Sequence, residues 1–525
     1  MSLTVRLLPG RSSPHRSART LVLAMLVMVL TVAAACQGSG TSGSGSTKVG
    51  GTLVVGRTAD IDLLDPHKAT AFQTVQSLEQ IYDSLVEFDR NLNLVPGLAT
   101  KWAFSDNGNT LTFNLRTGVK FGDGTPFSSQ DVAGSLNRVL DQKTSAVARS
   151  NIAAIQSIDN PDANTVVLHL SSPNVAIVSA LVGVNVAILS AKDIAAGTVD
   201  KQPNGTGPFK FQKWLPNQEL DLVRNDTYWG AKPPLDGVTF RVIPDENSVV
   251  SAVESGNVQL GVLTDPLAAK QADSGGLKVD RSPQLNYHVL QLNSNRGPLG
   301  NVTVRQAIAC AIDRKQVLDT AALGEGKVTG PITSPAYLSN PSDRPCPNRD
   351  VAKAKQLLQQ AGQSSGFTLD TIVETGEYAT AVNEAQNVQA QLKDIGVNLN
   401  LEVLEAGAYV KRWLAADFEA AIALNGGRPD PDTMYGRYFT TGGSLNKVAA
   451  YGSPQLDQLF ASGRTETDPA RRKATYKQIS EDLEQNAPWV WLFTGFNYNV
   501  MASRVHNFTP MANGSLQYLR ETSLS

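Results

Sequence analysis

Between positions 94 and 140 the chain first alternates and then turns helical. Leu111, Phe113 and Leu115 fall on one side of an extended segment, and Thr112, Asn114 and Arg116 on the other. That period of two marks a half-buried strand. The run DNGN at 106–109 precedes it, so 101–105 and 110–116 are expected to pair as a β-hairpin. A second turn, GDGTP at 122–126, leads to Ser128, an N-cap with Asp131 in capping-box position. Val132, Leu136, Val139 and Leu140 then recur at helical spacing. Physically this is hairpin, loop and amphipathic helix, with no chemistry in it.

The same patterns organise the rest. Strands are expected at 51–55, 165–170, 238–243 and 258–262, with a helix at 249–255 closed by Gly256. Gly205, Gly207 and Pro208 predict a tight turn before a strand in which Phe209, Phe211 and Lys213 alternate with Lys210 and Gln212. No GK[ST] follows that turn, so a phosphate cradle is not indicated. Residues 287–293 alternate as a strand, and Asp350 caps a helix that Gly362 ends. Segments 367–373, 379–395 and 397–404 read strand, helix, strand, which implies a parallel pair with a right-handed crossover. A helix at 408–415 precedes a strand at 419–424, and Asp468 with Pro469 opens a helix running to about 485. In the last strand Trp489, Trp491 and Phe493 share one face, for core packing or for lining a cleft.

A chain of 525 residues exceeds one ordinary core, so two or more domains are expected. With 41% hydrophobic and 18% charged residues, its composition is that of a soluble globular protein. The N-terminus departs from this. Arg6, Arg11, Arg16 and Arg19 precede the apolar run 21–30, and small residues lead to Cys36. That order describes an export signal over 1–35, and the run is shorter than the roughly 20 apolar residues of a membrane span. A Cys directly after small residues resembles a bacterial lipobox, which implies cleavage before Cys36 and a lipid on its thiol. An ordinary signal with an incidental Cys36 is the alternative. Residues 37–47 contain only Gln, Gly, Ser and Thr, a flexible tether with a reach on the order of 18 Å.

Removing 1–35 leaves 42 Lys+Arg against 48 Asp+Glu, formally −6. No basic patch stands out, which argues against a nucleic-acid partner. Cys310 and Cys346 form either a disulfide, as an oxidising compartment favours, or two buried thiols.

The first stretch also carries a resemblance. LATKW at 98–102, LTFNLR at 111–116, GVKF at 118–121, DGTPF at 123–127 and Asp131-Val132 are similar to the signature of the bacterial extracellular solute-binding proteins of family 5. These are peptide- and nickel-binding components of ABC importers. DIDLLDPH at 60–67, NGTGPFKFQKW at 204–214 and LDLVRNDTYW at 220–229 resemble further family blocks, in family order over about 50–520.

The resemblance implies an α/β, two-lobed periplasmic-binding-protein-like fold (type II, large cluster) with a cleft between lobes. Lobe one would comprise 48–290 plus 490–525, with an extra subdomain inserted at about 75–200; lobe two would comprise 291–489. The expected protein is no enzyme and needs no cofactor or metal. It is an extracytoplasmic, lipid-anchored monomer that captures a peptide or peptide-like solute by hinge closure and delivers it to ABC permease subunits. A binder of an oligosaccharide, metabolite or metal chelate is the alternative, and a secreted hydrolase a further one. HExxH, CxxC and a complete Walker loop are all absent from the sequence. His67 and His288 are left as a remote metal pair, since no two His have i, i+4 ligand spacing.

By the same resemblance the ligand site would include Phe72, Gln73, Asn293, Tyr378, Asn425, Gly427, Arg428, Asp430 and Trp491. Peptide-binding relatives commonly show G-W-x-x-D-x-x-D-P, whose first Asp holds the peptide ammonium. Here Asp430 and Pro431 match the final pair, Leu424 replaces Trp, and Gly427 replaces the amine-binding Asp. A buried ammonium without a counter-charge costs several kcal/mol. The expectation is a neutral, blocked or anionic ligand, unless Asp430 or Asp432 serves the amine instead.

Overall fold

The computed structural model of the protein describes residues 50–375 and 380–525. The export signal, Cys36, the tether and Tyr378 lie outside the described residues. No helix among those described is long and apolar enough to cross a membrane. The chain is mixed α/β and two-lobed, built on two large sheets with a smaller one beside the first.

The first large sheet has seven strands, ordered Lys278–Pro283, Phe496–Met501, Leu260–Leu263, Thr52–Arg57, Gly237–Val242, Glu219–Arg224 and Phe209–Leu215. Thr52–Arg57 is parallel to both its neighbours, so Arg57 ends at a shared carboxyl edge. The smaller sheet contains the expected hairpin, Ala99–Ser105 with Thr110–Leu115, now four-stranded with Thr165–Leu170 and Ile155–Asp162. Leu111, Phe113 and Leu115 are buried against Val132, Leu136 and Val139 of the helix Ser129–Leu140. That helix opens as predicted, with Ser128 N donating to Asp131 Oδ2 at 2.8 Å.

The second large sheet is ordered Lys327–Val328, Trp489–Thr494, Tyr287–Leu292, Ala420–Asn425, Phe367–Thr375 and Val397–Glu405. Phe367–Thr375 and Val397–Glu405 pair in parallel, joined through the helix Ala381–Lys393. Cys310 and Cys346 are joined by a disulfide, which ties the segment ahead of the helix Val351–Gln360 to the helix Val302–Ala311.

Two strand pairs pass from one large sheet to the other. Lys278–Pro283 continues into Tyr287–Leu292 through 284–286, and Trp489–Thr494 into Phe496–Met501 through Gly495. The crossings thus fall at 284–286 and 495. They are clasped together. Gln284 N donates to Gly495 O at 2.9 Å, and Thr494 Oγ1 lies 2.6 Å from both Gln284 O and Asn286 O.

Three local expectations need correction. Tyr287–Leu292 is not half-buried but buried at all six positions, because Leu290 and Leu292 enter one core while Tyr287 and Val289 enter another. Phe493 does not share a face with Trp489 and Trp491; a bulge opposite His288 and Val289 breaks the period of two. Phe493 therefore joins Val490 and Leu492 in the other core. Gly205 and Gly207 answer to close approach rather than to turn geometry, since an added Cβ would lie 2.1 and 2.6 Å from Ile81 O.

His67 is fully buried and held neutral. Its Nε2 donates to Ala187 O at 2.9 Å, and its Nδ1 accepts from Arg138 Nη1 at 2.8 Å. Arg138 also grips Asp65 through both terminal nitrogens. Burial, aided by the Arg138 charge, lowers the His67 pKa to about 4. The unfolded chain therefore takes up this proton first as pH falls, and stability is lost between about pH 6.5 and 4. Denaturant unfolding of wild type against His67→Gln across that window should reveal a difference of up to roughly 3 kcal/mol, present above pH 6.5 and gone near pH 4.

Candidate functional site

The strand Ala420–Asn425 ends at the carboxyl edge of the second sheet, and the loop beyond it folds onto the crossing segment. Gly427 N donates to Asn286 Oδ1 at 3.1 Å. A Cβ on Gly427 would lie 1.8 Å from Leu285 O, inside covalent-contact range. That contact is the physical reason for glycine here. No side chain fits while the loop lies against the crossing, an aspartate included.

The two acids that follow are taken. Arg472 donates from Nη1 to Asp430 Oδ2 at 2.7 Å and from Nη2 to Oδ1 at 3.0 Å, with both residues buried. Burial works against the Arg472 charge, but Asp430 more than offsets it and raises the guanidinium above its usual value. Arg472 Nη1 also donates to Tyr337 OH at 2.7 Å. Asp432 accepts from Arg464 Nε at 3.0 Å. Both carboxylates are already paired with an arginine.

Two cavities flank this loop, each walled by both halves of the chain. One, of about 160 Å³, lies between Phe88, Asn93 and Ser179 on one side and Tyr337, Asp430 and Lys473 on the other. The second, of about 180 Å³, lies between Phe88, Val182 and Asn185 and the loop residues Arg428, Pro429 and Thr433. The charged residues lining them are Arg428, Lys473 and the already paired Asp430. Burial and the like charge of Arg437 lower the Arg428 pKa. The crevice is positive.

The structure gathers Gly427, Arg428 and Asp430 at this crevice and places Asn425 just behind it, with Nδ2 3.4 Å from Tyr287 OH. Phe72 and Gln73 line a separate small cavity at the edge of the first sheet. Asn293 lies at the far end of the second sheet, because its strand runs antiparallel to Ala420–Asn425 and Leu292 pairs with Ala420. There it braces Ala416 O and Phe418 O. Trp491 is 1% exposed, donates to Tyr435 OH at 3.0 Å, and packs among Tyr435, Phe439 and Trp489. His67 and His288 belong to different networks, the latter bonded to Glu384 and stacked on Phe493. Among the described residues no group of three His, Cys, Asp or Glu could hold a metal ion.

Sequence reasoning missed Arg472. A signal existed: Arg472, Tyr476, Ile479 and Leu483 form the buried stripe of the helix Pro469–Asn486. A cation on a core stripe needs a buried partner.

Residues 93–446 match the family model for bacterial extracellular solute-binding proteins, family 5, middle region. Heme-binding protein A of Haemophilus influenzae is 29% identical over 471 residues, covering 82% of this chain and 85% of that protein. AgaA from A. tumefaciens R10, solved in complex with agropinic acid, is 28% identical with a TM-score of 0.68, over 90% of this chain and 99% of that one. The murein tripeptide binding protein MppA in its unliganded open form is 23% identical and shares the fold at a TM-score of 0.82, over 91% and 98%.

The Gly427 contact is directly testable. Gly427→Ala should lose about 1–3 kcal/mol in denaturant unfolding, as overpacking against backbone does. Gly426→Ala, whose added Cβ meets nothing within 4 Å, should change stability by less than about 0.5 kcal/mol.

Proposed function

The chain belongs to the bacterial extracellular solute-binding proteins, family 5, and from that premise we propose that it captures a neutral or anionic solute lacking a free amine. Members of this family are binding components of ABC importers and not enzymes. The finer reading is that the two lobes close over a peptide-like or other small metabolite and present it to a membrane permease. A lipid on Cys36 and the tether at 37–47 would keep the protein at the outer membrane–water boundary of the cell while leaving it free to move.

The observation that carries the ligand class is the charge inventory of the crevice. Gly427 supplies no carboxylate, Asp430 and Asp432 are held by Arg472 and Arg464, and Arg428 and Lys473 remain. A ligand ammonium entering here would lose its hydration and gain only like charge, at a cost of several kcal/mol. An anionic or blocked ligand meets no such penalty. Agropinic acid in the AgaA complex supports a non-peptide ligand within this fold.

Calorimetry with trialanine and N-acetyl-trialanine tests the amine argument. The acetylated peptide should bind at least tenfold more tightly, a difference of about 1.4 kcal/mol, and Arg428→Met should weaken it. Tight binding of trialanine that acetylation abolishes would contradict the reading.

A further inference from the structure

The first sheet ends in a buried cation that the crevice account does not use. Arg57, last residue of its strand, is 2% exposed. Its Nη1 donates to Gln73 O at 2.8 Å and to Ser77 Oγ at 2.7 Å, and its guanidinium carbon lies 4.6 Å from the centre of the Phe240 ring. Its Nε and Nη2 have no hydrogen-bond partner. These two nitrogens form one edge of the guanidinium and point their N–H bonds in parallel, the fork that matches the two oxygens of a carboxylate.

Arg57 lines a cavity of about 40 Å³ at the carboxyl ends of two adjacent parallel strands, the edge at which α/β sheets place their ligands. It is the one cation among the lining residues. The one acid, Glu246, already accepts from Thr264 N, Thr264 Oγ1 and Asp265 N. Asn499 lines the same cavity, 4% exposed, with Oδ1 unpartnered. A half-turn of that amide replaces the oxygen by two N–H donors. Phe72, 46% exposed, adds apolar surface beside the cavity.

We propose that the free edge of Arg57 binds a carboxylate carried by the captured solute, forming a polar subsite on the first lobe separate from the Arg428 crevice. This rests on the solute-binding reading and adds the group that the solute presents. Burial of the charge, which lowers the Arg57 pKa to about 10 against the pull of Asp60, is what a nearby anion would relieve.

The test uses acetate as probe and acetamide as its uncharged counterpart, at constant ionic strength, with the purified protein and thermal unfolding as readout. Wild type should show a saturable rise in Tm of a few degrees with acetate and none with acetamide. With the crevice cation removed by Arg428→Met, a rise should remain, and it should vanish when Arg57→Met is added to that background. Equal responses to the two probes, or an acetate response in Arg428→Met that survives the addition of Arg57→Met, would overturn the proposal. Should Arg57→Met fail to fold, crystals of wild type grown in acetate decide: a carboxylate across Nε and Nη2 supports the subsite, and water alone there overturns it. Adding back small molecules released from the purified protein separates two sources of the carboxylate. The acetate response is lost if the solute's own group fills the fork, and unchanged if the fork serves a free anion, which would overturn the assignment to the solute. Because acetate is read without lobe closure, failure here leaves the solute-binding reading standing, and the converse also holds.

Discussion

Four residues of backbone carry the relation between the lobes. The segment 284–286 and the single residue Gly495 are the strand crossings between the large sheets, and the Thr494 hydroxyl sits between Gln284 O and Asn286 O. Between those two carbonyls, Leu285 O accepts from Thr333 Oγ1 and takes the close approach of Gly427. The loop that begins at Thr333 and brings Tyr337 to the crevice, and the loop that brings Arg428, are therefore both referenced to the crossing. In the proposed reading, movement at this point would shift both loops as well as the lobes, as hinge residues that absorb the φ/ψ change do.

Electrostatics then sorts the side chains around that frame. Arginines from the neighbouring helices Pro454–Thr465 and Pro469–Asn486 neutralise the loop acids, Arg464 holding Asp432 and Arg472 holding Asp430. Removing one partner of such a buried pair strands the other charge, so these arginines are structural commitments and not ligand contacts. What is left toward the crevice is positive. On the first lobe Arg57 repeats the theme with a different geometry, a buried charge held by backbone and hydroxyl on one nitrogen and without a hydrogen-bond partner along one edge. In the proposed reading, a solute with carboxylate character answers both surfaces, and one with a free ammonium answers neither.

Much of the fold was legible because local rules and tertiary packing agree. The hairpin at 99–115, the capped helix after it and the strand–helix–strand unit ending at Glu405 each follow from period and cap residues alone. Tyr287–Leu292 and Trp489–Thr494 were harder, since strands buried on both faces carry no alternation and a bulge hides the register of Phe493. The site was partly legible. Gly427, Arg428 and Asp430 follow one strand and stay together, whereas Asn293 was misplaced because antiparallel pairing sends it to the opposite edge. Arg472 reaches Asp430 from 42 positions away, and the unpartnered edge of Arg57 is a property of packing that no local pattern encodes.

The proposed function makes the protein a clamp whose halves turn about one clasp and share a solute between positive walls. Small-angle X-ray scattering on the purified protein, stripped of small molecules and then supplied with the fraction released from it, measures this most directly. The radius of gyration should fall when that fraction is restored and return to its starting value when it is removed. A radius that stays constant while calorimetry registers binding would contradict the clamp.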